Sequence, residues 1–249
     1  MGKADQHTIL FVSDTHFHLE PEPDERERVA LFLEFLKMAG RADELVLLGD
    51  IFDFWFDYPH FRLKGYEELL AGLDEVHACG TRMHFIGGNH DIWAADYMHR
   101  RYGCRPGGKA ITLQAQGLRL NLVHGDGLLI RDRLYSTFRW LVRQRIGIAF
   151  AKSLHPELLY AFSRWLSHTS RQVSRDEAAI IEKRAAAYLD HDSDDWDLLL
   201  IGHLHHPFRL TEGRRTLAVL GSWFDGASYG IMREGRFELL DFASDPHPL

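Results

Sequence analysis

Cysteine is scarce: Cys79 and Cys104 are the only two in 249 residues, they stand far apart, and neither sits in a C-x-x-C pair. This excludes a disulfide scaffold, a zinc ribbon and a dithiol redox motif, and reads as two reduced thiols in a cytosolic protein. Long apolar runs are also missing. The run nearest the N-terminus covers only Ile9–Val12. It is too short for a signal peptide or a membrane span and fits a buried first strand. No internal repeat or low-complexity tract interrupts the chain. Hydrophobic residues at 45% and charged residues at 26% place it among ordinary globular proteins and exclude disorder and collagen-like repetition. The length is within reach of one domain, 1–249, and could hold two small ones.

Net positive charge is lacking as well. The chain carries −7, so no nucleic-acid partner is expected. The balance is uneven, however. Residues 128–175 hold nine Lys and Arg against two acidic residues, a local charge of +7, which leaves −14 for the rest. Tyr135, Phe138, Trp140, Phe150, Tyr160, Phe162 and Trp165 are interleaved with those cations. Such a segment is either a helical subdomain with its own aromatic core or a surface for an anionic partner such as a membrane.

Short apolar, β-branched runs at 8–12, 45–48, 83–86, 118–123, 198–201, 216–220, 228–232 and 236–241 read as strands. Helical spacing appears in 24–38, with Val29, Phe32, Leu33 and Leu36 on one face, and in 66–77, with Leu69, Leu70 and Leu73. The middle of the chain, 129–189, is helical in pattern; His155-Pro156 interrupts it, and an Ala-rich stretch at 177–189 forms its last helix. The order implies a layered α/β body with a helical lid or insert at about 128–190.

The chemistry gathers where strands end. Ser13-Asp14-Thr15-His16 follows the first, Gly49-Asp50-Ile51-Phe52-Asp53 the second and Gly87-Gly88-Asn89-His90-Asp91 the third. His124-Gly125-Asp126 and Gly202-His203-Leu204-His205 follow two later ones. Each motif alone has a plain explanation as a strand-end cap, a turn or a helix N-cap. Five of them, all at the C-terminal ends of strands, point to one site. Asp, His and Asn without thiolate suit Mn²⁺, Fe or Zn²⁺ in a dinuclear hydrolytic centre, where an Asp can bridge two ions that clamp a phosphoryl group. The other eleven histidines, His18, His84, His155, His168 and His206 among them, read as structural.

D-x-H, GDxxD, GNHD, HGD and GHxH together resemble the calcineurin-like metallophosphoesterase signature over residues 8–241. The resemblance implies a four-layer αββα sandwich with an inserted helical cap and a two-metal site at one edge. It implies that Asp14, His16, Asp50 and His205 hold one ion and that Asp50, Asn89, His124 and His203 hold the other. It also implies that His90 meets the phosphoryl oxygens or protonates the leaving group, oriented by Asp91, with Asp53 and Asp126 behind the ligands. GDIFDFWF after the second strand, the Arg-rich insert and Leu220-Gly221-Ser222-Trp223 carry a narrower likeness to the UDP-2,3-diacylglucosamine diphosphatases of lipid A synthesis. That likeness implies a lipid-linked nucleotide-sugar substrate cleaved to UMP and 2,3-diacylglucosamine 1-phosphate, manganese as cofactor and an insert that holds acyl chains. It further implies a position on the cytoplasmic face of the inner membrane, against its anionic surface. Substrate contacts are then expected from Asn89, His90, Asp132, Ser167, Arg171 and His203. The best-known branch carries Arg after the metal-binding Asn, where this chain has His90, the general superfamily residue. Two alternatives therefore stand beside it: a related enzyme acting on a soluble phosphodiester or phosphomonoester, and a scaffold that kept the fold without the chemistry.

Overall fold

The described residues of this computed structural model are 7–57, 64–105, 108, 110–129, 154–155, 157–158, 160–161, 175–192, 195–224 and 226–244. Asp132, Ser167 and Arg171 lie outside them, as does most of the expected insert.

Two five-stranded sheets form the body. In the first, β1 (Ile9–Val12), β2 (Glu44–Leu47) and β3 (Arg82–Phe85) run parallel, and β9 (Ser228–Arg233) and β10 (Arg236–Asp241) continue it antiparallel in the order β10-β9-β1-β2-β3. The second has the order β4-β5-β6-β8-β7, from β4 (Ala110–Ala115), β5 (Leu118–Val123), β6 (Leu198–Ile201), β7 (Phe208–Glu212) and β8 (Arg215–Val219). Its inner strands β5, β6 and β8 are parallel.

Period-two alternation assigns each strand residue to a layer. Ile9 and Phe11 face the second sheet and meet Leu120, Leu122, Leu198 and Leu200, whereas Leu10 and Val12 face the helices α1 (Pro23–Ala39) and α2 (Glu67–Ala78). Both faces of the central strands are covered, which is why they read as unbroken apolar runs. On the far side, Ile181, Ala185 and Leu189 form an i, i+4, i+8 stripe of helix α4 (Arg175–His191) and pack on Leu199, Ile201, Leu217 and Val219. Helix, sheet, sheet, helix is the αββα arrangement that the sequence implies. The segment read as the last helix of the insert is thus the outer layer of the second sheet.

Strand positions expected from the sequence hold to within a residue or two. Three elements carried no such signal: β4, β7 and the eight-residue helix α3 (Ala95–Tyr102). β4 and β7 are the outer strands of their sheet and are exposed on alternate residues. A strand at an edge needs no continuous apolar run. In α1, Phe35 is fully buried and Leu33 only partly so, because Phe35 meets Trp223, Tyr229 and Phe242 from the C-terminal part of the chain. Cys79 and Cys104 are both free thiols, and burial pushes Cys104 up to about 12.

Candidate metal centre

The loops that follow β1 and β2 stay hydrogen-bonded after the strands end. Asp14 N–H donates to the Gly49 carbonyl (3.0 Å), His16 N–H to Asp50 (2.9 Å) and Phe17 N–H to Ile51 (3.1 Å). This zipper sets Asp14, His16 and Asp50 side by side. The second sheet is tied in by two bonds. His124 Nδ1 lies 2.8 Å from the Leu48 carbonyl, and the His203 N–H donates to Asp14 Oδ2 at 2.8 Å. A carbonyl only accepts, so Nδ1 of His124 carries a proton and Nε2 is the nitrogen that faces inward. There Nε2 lies 3.2 Å from Asp50 Oδ2 and 3.3 Å from Asn89 Oδ1.

Among the described residues, donor atoms converge in three groups: Asp14–His16–His205, His16–Asp50–His90 and Asp50–His124–His203. His16 Nε2 and His205 Nε2 are 3.2 Å apart, and Asp14 Oδ1 is 3.3 Å from His205 Nε2 and 3.7 Å from His16 Nε2. Ligands about 2.0–2.2 Å from one small cation stand about 2.8–3.6 Å from one another, so these spacings suit a shared ion. Asp14 Oδ1 and Asp50 Oδ2 are buried without a well-aligned hydrogen-bond donor, an arrangement that divalent cations resolve.

The backbone is distorted where the ligands sit. Among the described residues, seven other than glycine have positive φ, and five are Asp14 (54°), His16 (45°), Asp50 (53°), His203 (65°) and His205 (53°). Each costs about 1–3 kcal/mol and persists only where the surroundings impose it. This bending lets His203 and His205, two residues apart, both face the centre. Gly88 makes room for Asp50: a Cβ there would lie 2.1 Å from Asp50 Oδ1.

Charge completes the picture. Burial alone would raise the Asp14 carboxyl, but its contacts with His16 and His205 and the charges of His205 and His124 hold it far below the usual range; Asp50 is lowered in the same way, chiefly by His124 and His90. Burial lowers His16, and burial with the His124 charge lowers His203 to about 4, so both keep lone pairs at neutral pH. Burial opposes protonation of His124 and His205 too, yet Asp50 raises His124 to about 10 and Asp14 raises His205. In the metal-free protein, a proton on His124 offsets part of the buried carboxylate charge.

All seven expected ligand residues meet at this edge. His90 lies beside them, with Nδ1 2.9 Å from the Asp53 carbonyl and 3.5 Å from Asp53 Oδ1. Asp91 does not orient that ring. Its carboxylate accepts the backbone N–H groups of Asp50 (3.1 Å), Ile51 (2.8 Å), Phe52 (3.3 Å) and Gly88 (2.8 Å), and so shapes the loop that presents Asp50. Burial and the Asp50 charge push Asp91 up to about 6. Asp53 stands behind His16, and Asp126 adds charge near His124 and His203. His18, read as structural, sits at the rim with Nε2 3.6 Å from Asp53 Oδ2. The His-x-His spacing of His16 and His18 was its signal.

Asp91→Asn places an NH₂ against two backbone N–H donors. It should destabilise the protein by about 2–4 kcal/mol, read from urea unfolding. A second test uses pH. His124 has a folded pKa above its unfolded value, so its stabilisation is complete below about 6.5 and is lost as pH rises toward about 10. The melting temperature of metal-free protein should therefore fall between pH 7 and 10, and His124→Gln should flatten that decline.

The sequence model of the calcineurin-like phosphoesterase family matches residues 7–207. The chain is 27% identical over 248 residues to the UDP-2,3-diacylglucosamine hydrolase of Porphyromonas gingivalis, covering 90% of this chain and 93% of that protein. It is 30% identical over 245 residues to the proteins of that name from Aeromonas hydrophila, with 93% and 97% covered, and Serratia proteamaculans, with 94% and 98% covered. The matched segment spans every strand end that lines the centre, from Asp14 to His205, and the chain belongs to the calcineurin-like phosphoesterase family.

Proposed function

We propose that this phosphoesterase is a two-metal pyrophosphatase that hydrolyses UDP-2,3-diacylglucosamine to UMP and 2,3-diacylglucosamine 1-phosphate. One observation carries the two-metal part: Asp50 Oδ2 lies 3.2 Å from His124 Nε2 and 3.8 Å from His16 Nε2, so one carboxylate faces both ligand groups. In this reading Asp14, His16, Asp50 and His205 hold one cation, and Asp50, Asn89, His124 and His203 the other. Manganese suits the all-O/N donor set. When bound, the two cations supply Lewis acidity to the phosphoryl oxygens and acidify water near neutral pH.

The remaining chemistry falls to this chain's own residues. The Asp53 carbonyl engages Nδ1 of His90, which leaves Nε2 to meet the phosphoryl group or protonate the departing oxygen as the P–O–P bridge breaks. Asn89 and His203 flank the same position as substrate contacts, and Asp91 serves catalysis by holding the Asp50 loop. The substrate class is supported by the names of relatives that align over nearly the whole chain. The basic, aromatic composition of residues 128–175 supports it as well, with Asp132, Ser167 and Arg171 as insert contacts. Arginines there would meet phosphate and an anionic surface, and aromatics the acyl chains. We place the enzyme on the cytoplasmic face of the inner membrane as a peripheral protein. Among the described residues no helix is long and apolar enough to cross a membrane.

His90 favours a second reading, a related enzyme acting on a soluble phosphate ester, because the best-known branch has Arg at that place. Mass spectrometry of products from UDP-2,3-diacylglucosamine with Mn²⁺ separates the two. UMP and the lipid monophosphate are expected; intact substrate alongside hydrolysis of a soluble diester would favour the second. Asp50→Ala should abolish occupancy of both ions together with turnover, and retention of two ions would contradict the assignment. His90→Ala should keep both ions and lose about 10²–10⁴-fold in kcat, as removal of a proton donor does.

A further inference from the structure

A second polar cluster lies on the outer side of the Asp14–His16 loop, at the start of α1. That helix opens with Pro23, and no side chain caps its N-terminus. Glu25, in the first turn, is 5% exposed. It faces back toward the loop: Oε1 accepts the His18 backbone N–H at 2.7 Å, and Oε2 lies 2.6 Å from His18 Nδ1. Burial acts to protonate Glu25, but the His18 bonds and the Arg28 charge outweigh it and keep the carboxylate ionised.

Arg28, one turn later, engages the same loop. Its guanidinium donates to the carbonyl of Thr15, the residue between Asp14 and His16, and lies 3.3 Å from Glu25 Oε1. It also stands 5.1 Å from the ring centre of Phe17 and 4.5 Å from that of Phe224. Phe224 in turn packs against the rings of His16 (5.3 Å) and His205 (6.1 Å). A Glu–Arg pair at i, i+3 on a helix is ordinarily a solvated contact of small effect. Here both members are largely buried, and together they reach Thr15, Phe17 and His18 directly and two ligand imidazoles through Phe224.

The loop needs such a hold. Asp14 and His16 both occupy the left-handed region, at φ 54° and 45°, which an L residue leaves when unconstrained. The zipper to the β2 loop fixes the inner side. The Trp223 backbone N–H, which donates to the Asp14 carbonyl at 3.2 Å, holds the first residue of the loop. Through His18, whose Nε2 lies 3.6 Å from Asp53 Oδ2, Glu25 also steadies the segment that receives His90.

We propose that Glu25 and Arg28 are positioning residues for the metal centre, setting the backbone of the Asp14–His16 loop so that both side chains address one cation. The inference rests on the metal reading above. It is tested by titrating metal-free protein with Mn²⁺ calorimetrically, counting retained ions after dialysis, and recording the melting temperature of the metal-free form. Arg28→Met keeps the aliphatic stem and removes the donors. It should bind Mn²⁺ about 10–100-fold more weakly at one of two sites while the metal-free melting temperature stays near wild type. Arg28→Lys, with one donor restored, should recover most of that affinity. Unchanged Mn²⁺ affinity in folded Arg28→Met, or a lower melting temperature with wild-type affinity in the folded fraction, overturns the proposal. If Arg28→Met does not fold, Glu25→Gln decides by the same comparison, several-fold weaker binding being expected. Wild-type protein that takes up no Mn²⁺ sinks the metal reading and this proposal with it; two ions bound with the same affinities in wild type and variants alike sink this proposal alone.

Discussion

Two carboxylates buried beside each other set the terms for everything around them. Asp14 and Asp50 are 0% and 1% exposed, and each has an oxygen within 4 Å of His16 Nε2. Two like charges without water are costly unless positive charge stands between them. The His124 imidazole supplies it as a proton in the metal-free protein, and divalent cations supply more. The left-handed backbone at Asp14, His16, Asp50, His203 and His205, the bare glycine against Asp50 and the four N–H bonds to Asp91 all serve to keep that pair in place.

The fold explains how residues so far apart in the chain come to share this edge. Parallel strands in both sheets deliver their C-terminal ends to one side. The loops then continue the pairing of the strands they leave, so register set by apolar residues in the core carries through to the ligands. The hydrogen bonds from His124 to Leu48 and from His203 to Asp14, with the close approaches of His124 to Asn89 and Asp50 and of His205 to His16 and Asp14, join the second sheet to the first at this edge. The centre is therefore also a seam between sheets, and its electrostatics couple to the packing of both.

Much of this was legible in the residue order. Strand-end motifs were visible because strands buried on both faces are unbroken apolar runs, so their ends are easy to find. The convergence of Asp14, His16, Asp50, Asn89, His124, His203 and His205 on one edge was expected from those ends and from the family resemblance. The edge strands β4 and β7 and the short helix α3 were not legible, since exposure on alternate residues leaves a weak pattern. Phe35 in place of Leu33 in the core of α1 depended on Trp223, Tyr229 and Phe242, far away at the other end of the chain.

The order of residues by itself determined the layered class, the positions of the buried strands and the chemistry of the donor atoms, because burial periodicity and ligand type are local properties. Tertiary structure alone decided that Asp91 grips the Asp50 loop rather than the His90 ring, that the Asp53 carbonyl accepts a hydrogen bond from His90 Nδ1, and that His18, Glu25 and Arg28 back the Asp14–His16 loop. Those outcomes turn on which hydrogen-bond donors and acceptors face one another once the sheets have packed, and contacts between distant segments leave no periodic trace in the chain.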